Sequence, residues 1–135
     1  MPTNLILVLD ADPLNRVDPF VRKYQHLRFE YFGEGLDQAA LTRESKELLE
    51  RDLSPYAAIV VSSLKTSHGP SIYRITESFI ARGKLVVGLI FHPSISSLVR
   101  EMLGKQGVKR FAHFGPGLQT EILKLMREGL LPLAT

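Results

Sequence analysis

The sequence contains no cysteine. It also contains no apolar run close to the roughly 18 residues that a membrane-spanning helix needs. Without cysteine there are no disulfides, no thiolate nucleophile and no cysteine-based zinc site. The amino-terminal residues lack the basic, apolar and small-residue order of a signal peptide. From these absences we expect a cytoplasmic protein with no membrane partner.

Common catalytic motifs are absent as well. The loop SLKTSHGPS precedes a predicted helix, but it lacks the GxxxxGK[ST] spacing of a phosphate-binding loop. No GxSxG is present, so the nucleophile turn of a serine hydrolase is excluded.

Charge is distributed unevenly along the chain, whose formal net charge is +3. Residues 1–55 carry seven basic and ten acidic side chains, whereas residues 56–135 carry ten basic and four acidic ones. The second half is therefore suited to an acidic partner. Its basic residues are dispersed and are not interleaved with aromatic residues, so a nucleic-acid-associated regulator is a weaker alternative.

Strand-like and helix-like segments alternate along the chain. Its 135 residues suit one domain, residues 1–135. Five apolar segments predict strands at residues 4–9, 26–32, 56–63, 84–91 and 107–114, and a predicted helix follows each. Pro13 and Pro116 stand where the first and last helices begin. The pattern predicts an α/β, flavodoxin-like (βα)5 three-layer sandwich with a parallel sheet in the order 2-1-3-4-5.

Two stretches resemble motifs of response-regulator receiver domains, the signal-accepting domains of two-component signalling. LILVLDADPLNR, residues 5–16, is close to a typical ILIVDDDPLNR, and SPYAAIVVSSLKTSHG, residues 54–69, resembles PYDLIVMDVQMPVMDG. The resemblance covers nearly the whole chain. It implies a site where acids after the first strand bind Mg²⁺ and an aspartate at the end of the third strand accepts phosphate. A hydroxyl residue after the fourth strand and a lysine after the fifth hold the phosphoryl oxygens.

Most of that set is absent here. Only Asp10 and Asp12 match acidic residues of the family motif. Ala11 stands at the position of the main metal ligand, and Ser62 stands at that of the phosphoacceptor. The hydroxyl residue is replaced by Ile90 or Phe91, and the lysine is replaced by Phe114 or Gly115. A register shift of one residue would place Ser63 instead of Ser62 at the acceptor position. We therefore predict a pseudo-receiver that is not an enzyme, accepts no phosphate and uses no cofactor.

The resemblance also implies an interaction face on the fourth helix, the fifth strand and the fifth helix. The candidate residues on it are Ile95, Leu98, Lys105, Lys109, Arg110, Phe111 and Leu118. They predict an acidic protein partner, or a homodimer through the same elements.

A small-ligand or metal-binding domain is the other alternative. The predicted topology brings four potential ligands to or near the carboxyl edge of the sheet: Asp10, His68, His92 and His113. No HxH or HxxxH spacing supports their convergence.

Overall fold

Five apolar segments form the strands of a parallel sheet, as the alternation predicted. The computed structural model describes residues 4–10, 24, 26–33, 35–63, 72–90, 96–113 and 115–133. The strands are β1 (Leu5–Asp10), β2 (Arg28–Phe32), β3 (Tyr56–Ser63), β4 (Val86–Ile90) and β5 (Arg110–His113). The helices are α1 (Gln38–Leu48), α2 (Ile72–Ala81), α3 (Ser96–Gly104) and α4 (Pro116–Arg127).

The sheet has the strand order β2-β1-β3-β4-β5, with all its pairings parallel. The predicted fold class, a flavodoxin-like three-layer sandwich, is confirmed. The first predicted helix, beginning at Pro13, lies outside the described residues. The second to fifth predicted helices correspond to α1, α2, α3 and α4.

Alternate side chains of the central strands supply two separate cores. Leu7 and Leu9 of β1 pack in one core with residues of α1, α2 and α3, among them Leu41, Phe79 and Leu103. Ile6 and Val8 face the other core, which α4 covers with Leu118, Ile122, Leu125 and Met126. Because both faces are covered, the central strands are apolar up to the polar residues that end β1 and β3.

Individual residues at the ends of the helices explain where those helices begin and end. The carboxylate of Asp37 caps α1 by accepting a 2.8 Å hydrogen bond from the backbone N–H of Ala40. Pro116 opens α4, where a missing N–H costs nothing. The chain turns after α2 at Gly83, whose φ of 80° is favourable only for glycine.

Residues 128–133, which we call the C-terminal strap, follow α4 towards the start of the sheet. Leu131 lies in the α4-side core, and the His26 imidazole donates from Nε2 to the Pro132 carbonyl at 2.8 Å. The Asn4 side chain in turn donates to the His26 carbonyl at 2.9 Å. The strap therefore joins the segments that lead into β1 and β2. None of the helices described above is long and apolar enough to cross a membrane.

Candidate functional site

The carboxyl ends of β1 and β3 lie side by side. Leu9 pairs with Val61, but Asp10 pairs with Ser63, so Ser62 is an extra residue at an irregularity in the β3 register. Ser62 and Ser63 thus share the end of β3. Neither residue is an aspartate, so the alternative register does not restore a phosphoacceptor.

The rest of the predicted vestigial pocket is described only in part. Ala11, Asp12 and Phe114 lie outside the described residues, as do the side chains of Asp10 and Ser62. Ile90 ends β4 and is buried in the sheet, 1% exposed. Its side chain is therefore unavailable to a ligand, and it has no hydroxyl to offer.

Of the four alternative metal ligands, the structure describes only His113 with its side chain, which is exposed at the end of β5. His68, His92 and the Asp10 side chain lie outside the described residues. Within the part of the chain that is described, no three His, Asp or Glu side chains come together as metal ligands would.

Two residues of the predicted interaction face do not offer their side chains to a partner. Leu118 is 2% exposed and packs in the α4-side core, so its placement on the face was wrong. Arg110 is partly buried, and its guanidinium contacts the carboxylates of Glu121, at 3.2 Å, and Glu128. The hydrogen bonds that Arg110 donates to Glu128 and Glu121 raise the pKa of Arg110, and the one to Glu128 lowers the pKa of that carboxyl group. Arg110 thus holds α4 against β5.

The remaining described residues of the face differ in exposure. Leu98 is 56% exposed on α3, and Lys105 and Lys109 are exposed after it. Lys105 Nζ lies 3.6 Å from the Glu101 carboxylate, a weak surface pair. Phe111 is half-buried, and Ile95 lies outside the described residues.

Leu98 and Phe111 lie on opposite sides of α3. Phe111 lies beneath Arg100, whose guanidinium carbon is 5.1 Å from the ring centroid. Leu98 precedes Arg100 by two residues, which is about 200° around a helix. Leu98 instead shares a helix side with Met102, whose sulfur accepts a 3.5 Å hydrogen bond from the Tyr73 hydroxyl on α2. The predicted face therefore comprises two surfaces, one of which includes Arg100, a residue outside the predicted set.

A polar network lies at the β2 edge of the sheet, and its side chains form hydrogen bonds with one another. The Tyr56 hydroxyl donates to Glu30 at 2.7 Å and accepts from Arg51 at 3.2 Å, while Arg51 also binds Glu47 at 3.0 Å. Burial, followed by the hydrogen bond to Glu30, raises the pKa of Tyr56. With its polar groups engaged by one another, this network links β2 to β3, across β1, and to the end of α1.

Comparison with known proteins identifies a solved structure with a similar fold. No family model and no curated protein matches the chain. One solved structure is similar to it, that of a response regulator receiver protein from Pseudoalteromonas atlantica. The two chains are 10% identical, the match covers 93% of this chain and 98% of the other, and the TM-score is 0.63. The chain therefore has the fold of a receiver domain.

Proposed function

We propose that this chain is a receiver-like domain that accepts no phosphate and acts in signalling or regulation through contacts with another protein. The observation that carries the proposal is the end of β3. There a receiver has its phosphoacceptor aspartate, whereas this chain has Ser62 and Ser63.

The chemistry supports this interpretation. Transfer to a carboxylate needs cations that offset the charge of the phosphoryl group as it moves. Ala11 removes an acidic ligand for Mg²⁺, and neither Phe114 nor Gly115 can supply a lysine ammonium. Loss of one such group commonly slows a reaction about 10²- to 10³-fold, so the combined losses make transfer negligible. A serine hydroxyl with no adjacent base is also a weak nucleophile.

The interaction role draws on the outer surfaces of α3 and β5. Leu98 leaves an apolar side chain in water, and Lys105 and Lys109 make the neighbouring surface basic. An acidic protein would meet opposite charge there. A homodimer through α3, β5 and α4 is the second arrangement that these elements offer.

A test of phosphate acceptance uses ¹H–¹⁵N spectra of the labelled chain with Mg²⁺ and beryllofluoride, a phosphoryl mimic. We expect no saturable shift of the Asp10, Ser62 or Ser63 amides. The double variant Ala11→Asp, Ser62→Asp restores two acids and is expected to shift at the same amides with Mg²⁺ alone. Saturable shifts in the unmodified chain would mean that the site still binds a metal and an anion, and would refute the proposal.

A further inference from the structure

β2 lies at one edge of the sheet, where it pairs with β1 and with no other described strand. The Arg28 N–H donates to the Asn4 carbonyl at 2.8 Å, so this backbone group points towards β1. Because backbone groups alternate in direction along a strand, the N–H and carbonyl of Phe29 point away from the sheet. The outer edge of β2 therefore presents a donor and an acceptor at Phe29 to a further strand.

The side chains of β2 divide between the two faces of the sheet. Arg28 and Glu30 are exposed on the same face as Phe32, which packs in the core on the α1 side. Phe29 points to the other face and is half-buried against the α4-side core. No described residue forms an ion pair with Arg28. Two opposite charges thus stand two residues apart along an exposed edge.

The polar network around Glu30 retains one negative charge. Glu30 and Glu47 share the single guanidinium of Arg51, and the Tyr56 hydroxyl is uncharged near neutral pH. Arg51 and Tyr56 both bind Glu30 at Oε2, and a carboxylate has about four acceptor positions. Glu30 can therefore accept further hydrogen bonds from a second guanidinium.

The two charges of β2 select one register for pairing with a second copy of β2. Two copies related by a two-fold axis pair antiparallel, and residues directly opposite each other then lie on the same face. With the axis at Phe29, Arg28 of each copy lies opposite Glu30 of the other, and Phe29 exchanges both its hydrogen bonds with its equivalent. An axis at Arg28 or at Glu30 would instead place like charges opposite each other.

We propose that the chain forms a two-fold dimer through β2, with the axis at Phe29, so that the two five-stranded sheets join edge to edge. The two Phe29 rings lie on the α4 side of the joined sheet, where a cross-strand aromatic pair is stabilising. This edge lies opposite β5, and the inference does not depend on the proposed contacts of α3 and β5. Because β2 has five residues, the contact is short, and we expect weak association that depends on concentration.

The test measures association of the unmodified chain by sedimentation equilibrium from about 0.01 to 1 mM. We expect a monomer–dimer equilibrium, and we expect amide hydrogen exchange at Phe29 to slow as the concentration rises. Arg28→Glu places like charges opposite each other twice and is expected to weaken the dimer about tenfold or more. Mixing Arg28→Glu with Glu30→Lys restores both opposite-charge pairs, so the mixture is expected to associate more tightly than either variant alone.

Lys109→Glu is the matched control, because it reverses a positive charge at an exposed position beside β5, at the opposite edge of the sheet. It is expected to change the association less than about twofold. A chain that stays monomeric at about 1 mM, or a dimer that Arg28→Glu leaves intact, would overturn the inference. So would a dimer that only Lys109→Glu dissociates, which would leave the proposed interaction role standing. If Glu30→Lys does not fold, exchange at Phe29 and the effect of Arg28→Glu decide the question.

Discussion

Gly88 matters because the Phe111 ring occupies the space where another residue would have a Cβ. We predict that Gly88→Ala destabilises the chain by about 1–3 kcal/mol, since the methyl group would displace Phe111 and Leu103 within a close-packed region. The free energy of unfolding in urea measures the change.

Gly104→Ala is the control for this substitution. A Cβ at Gly104, the last residue of α3, would have no heavy atom within 4 Å. Its stability is expected to match or slightly exceed that of the unmodified chain, because alanine favours the helix. Equal losses from both substitutions would show that the contact with Phe111 is not the cause.

Side-chain partners were the least predictable feature at this scale. Arg110 looked like part of a basic surface group, yet its partners are 11 and 18 positions further along the chain. Only the packing of α4 on β5 brings those carboxylates to it. Leu118 had the periodicity of an inward-facing residue, and its burial follows from that pattern. Nothing in the sequence pointed to Arg100, because its stacking on the Phe111 ring depends on where α3 crosses β5.

Arg82, which directly follows α2, links that helix to the end of α1. Its guanidinium donates to the carbonyls of Leu48, at 2.9 Å, and Arg51, at 2.6 Å. These carbonyls stand at and just after the carboxyl end of α1, where the helix dipole favours a positive charge. The turn that follows α2 therefore holds the end of α1 in place.

We predict that Arg82→Met, which keeps an unbranched side chain but removes the guanidinium and its 5.4 Å contact with the Phe79 ring, lowers the free energy of unfolding by about 1 kcal/mol. Amide hydrogen exchange should accelerate in the last turn of α1. Arg43→Met on the exposed side of α1 is the reference and is expected to change stability by less than about 0.5 kcal/mol. Unchanged exchange in that turn would mean that the two hydrogen bonds contribute nothing.

Element boundaries were predictable to the extent that hydrophobicity alone defines them. The segment YAAIVVSS coincides with β3 as it stands, Tyr56–Ser63. β4 begins two residues and β5 three residues later than the predicted segments, and Phe91 and Phe114, which end those segments, lie outside the described residues. The irregularity at Ser62 was not predictable, since it depends on the alignment of two strands.

At the scale of the whole molecule, the C-terminal strap contributes to the core between the sheet and α4. Leu131 is 3% exposed in the α4-side core, whereas Leu133, two residues later, is 67% exposed. We predict that Leu131→Ala costs about 2–4 kcal/mol of unfolding free energy, because it leaves a cavity in that core. Leu133→Ala is expected to cost less than about 0.5 kcal/mol. Urea unfolding followed by circular dichroism compares the two, and similar losses would show that the strap is not part of the core.

The strap also bears on how the chain reaches its fold during synthesis. The hydrogen bond between His26 and Pro132 joins positions 106 residues apart, and Leu131 belongs to the same core as Ile6 of β1. Because β1 is synthesised before Leu131, Ile6 lacks part of its cover until Leu131 follows. At typical translation speeds that delay is on the order of ten seconds. The nascent chain therefore keeps apolar surface of β1 exposed until the strap has been synthesised.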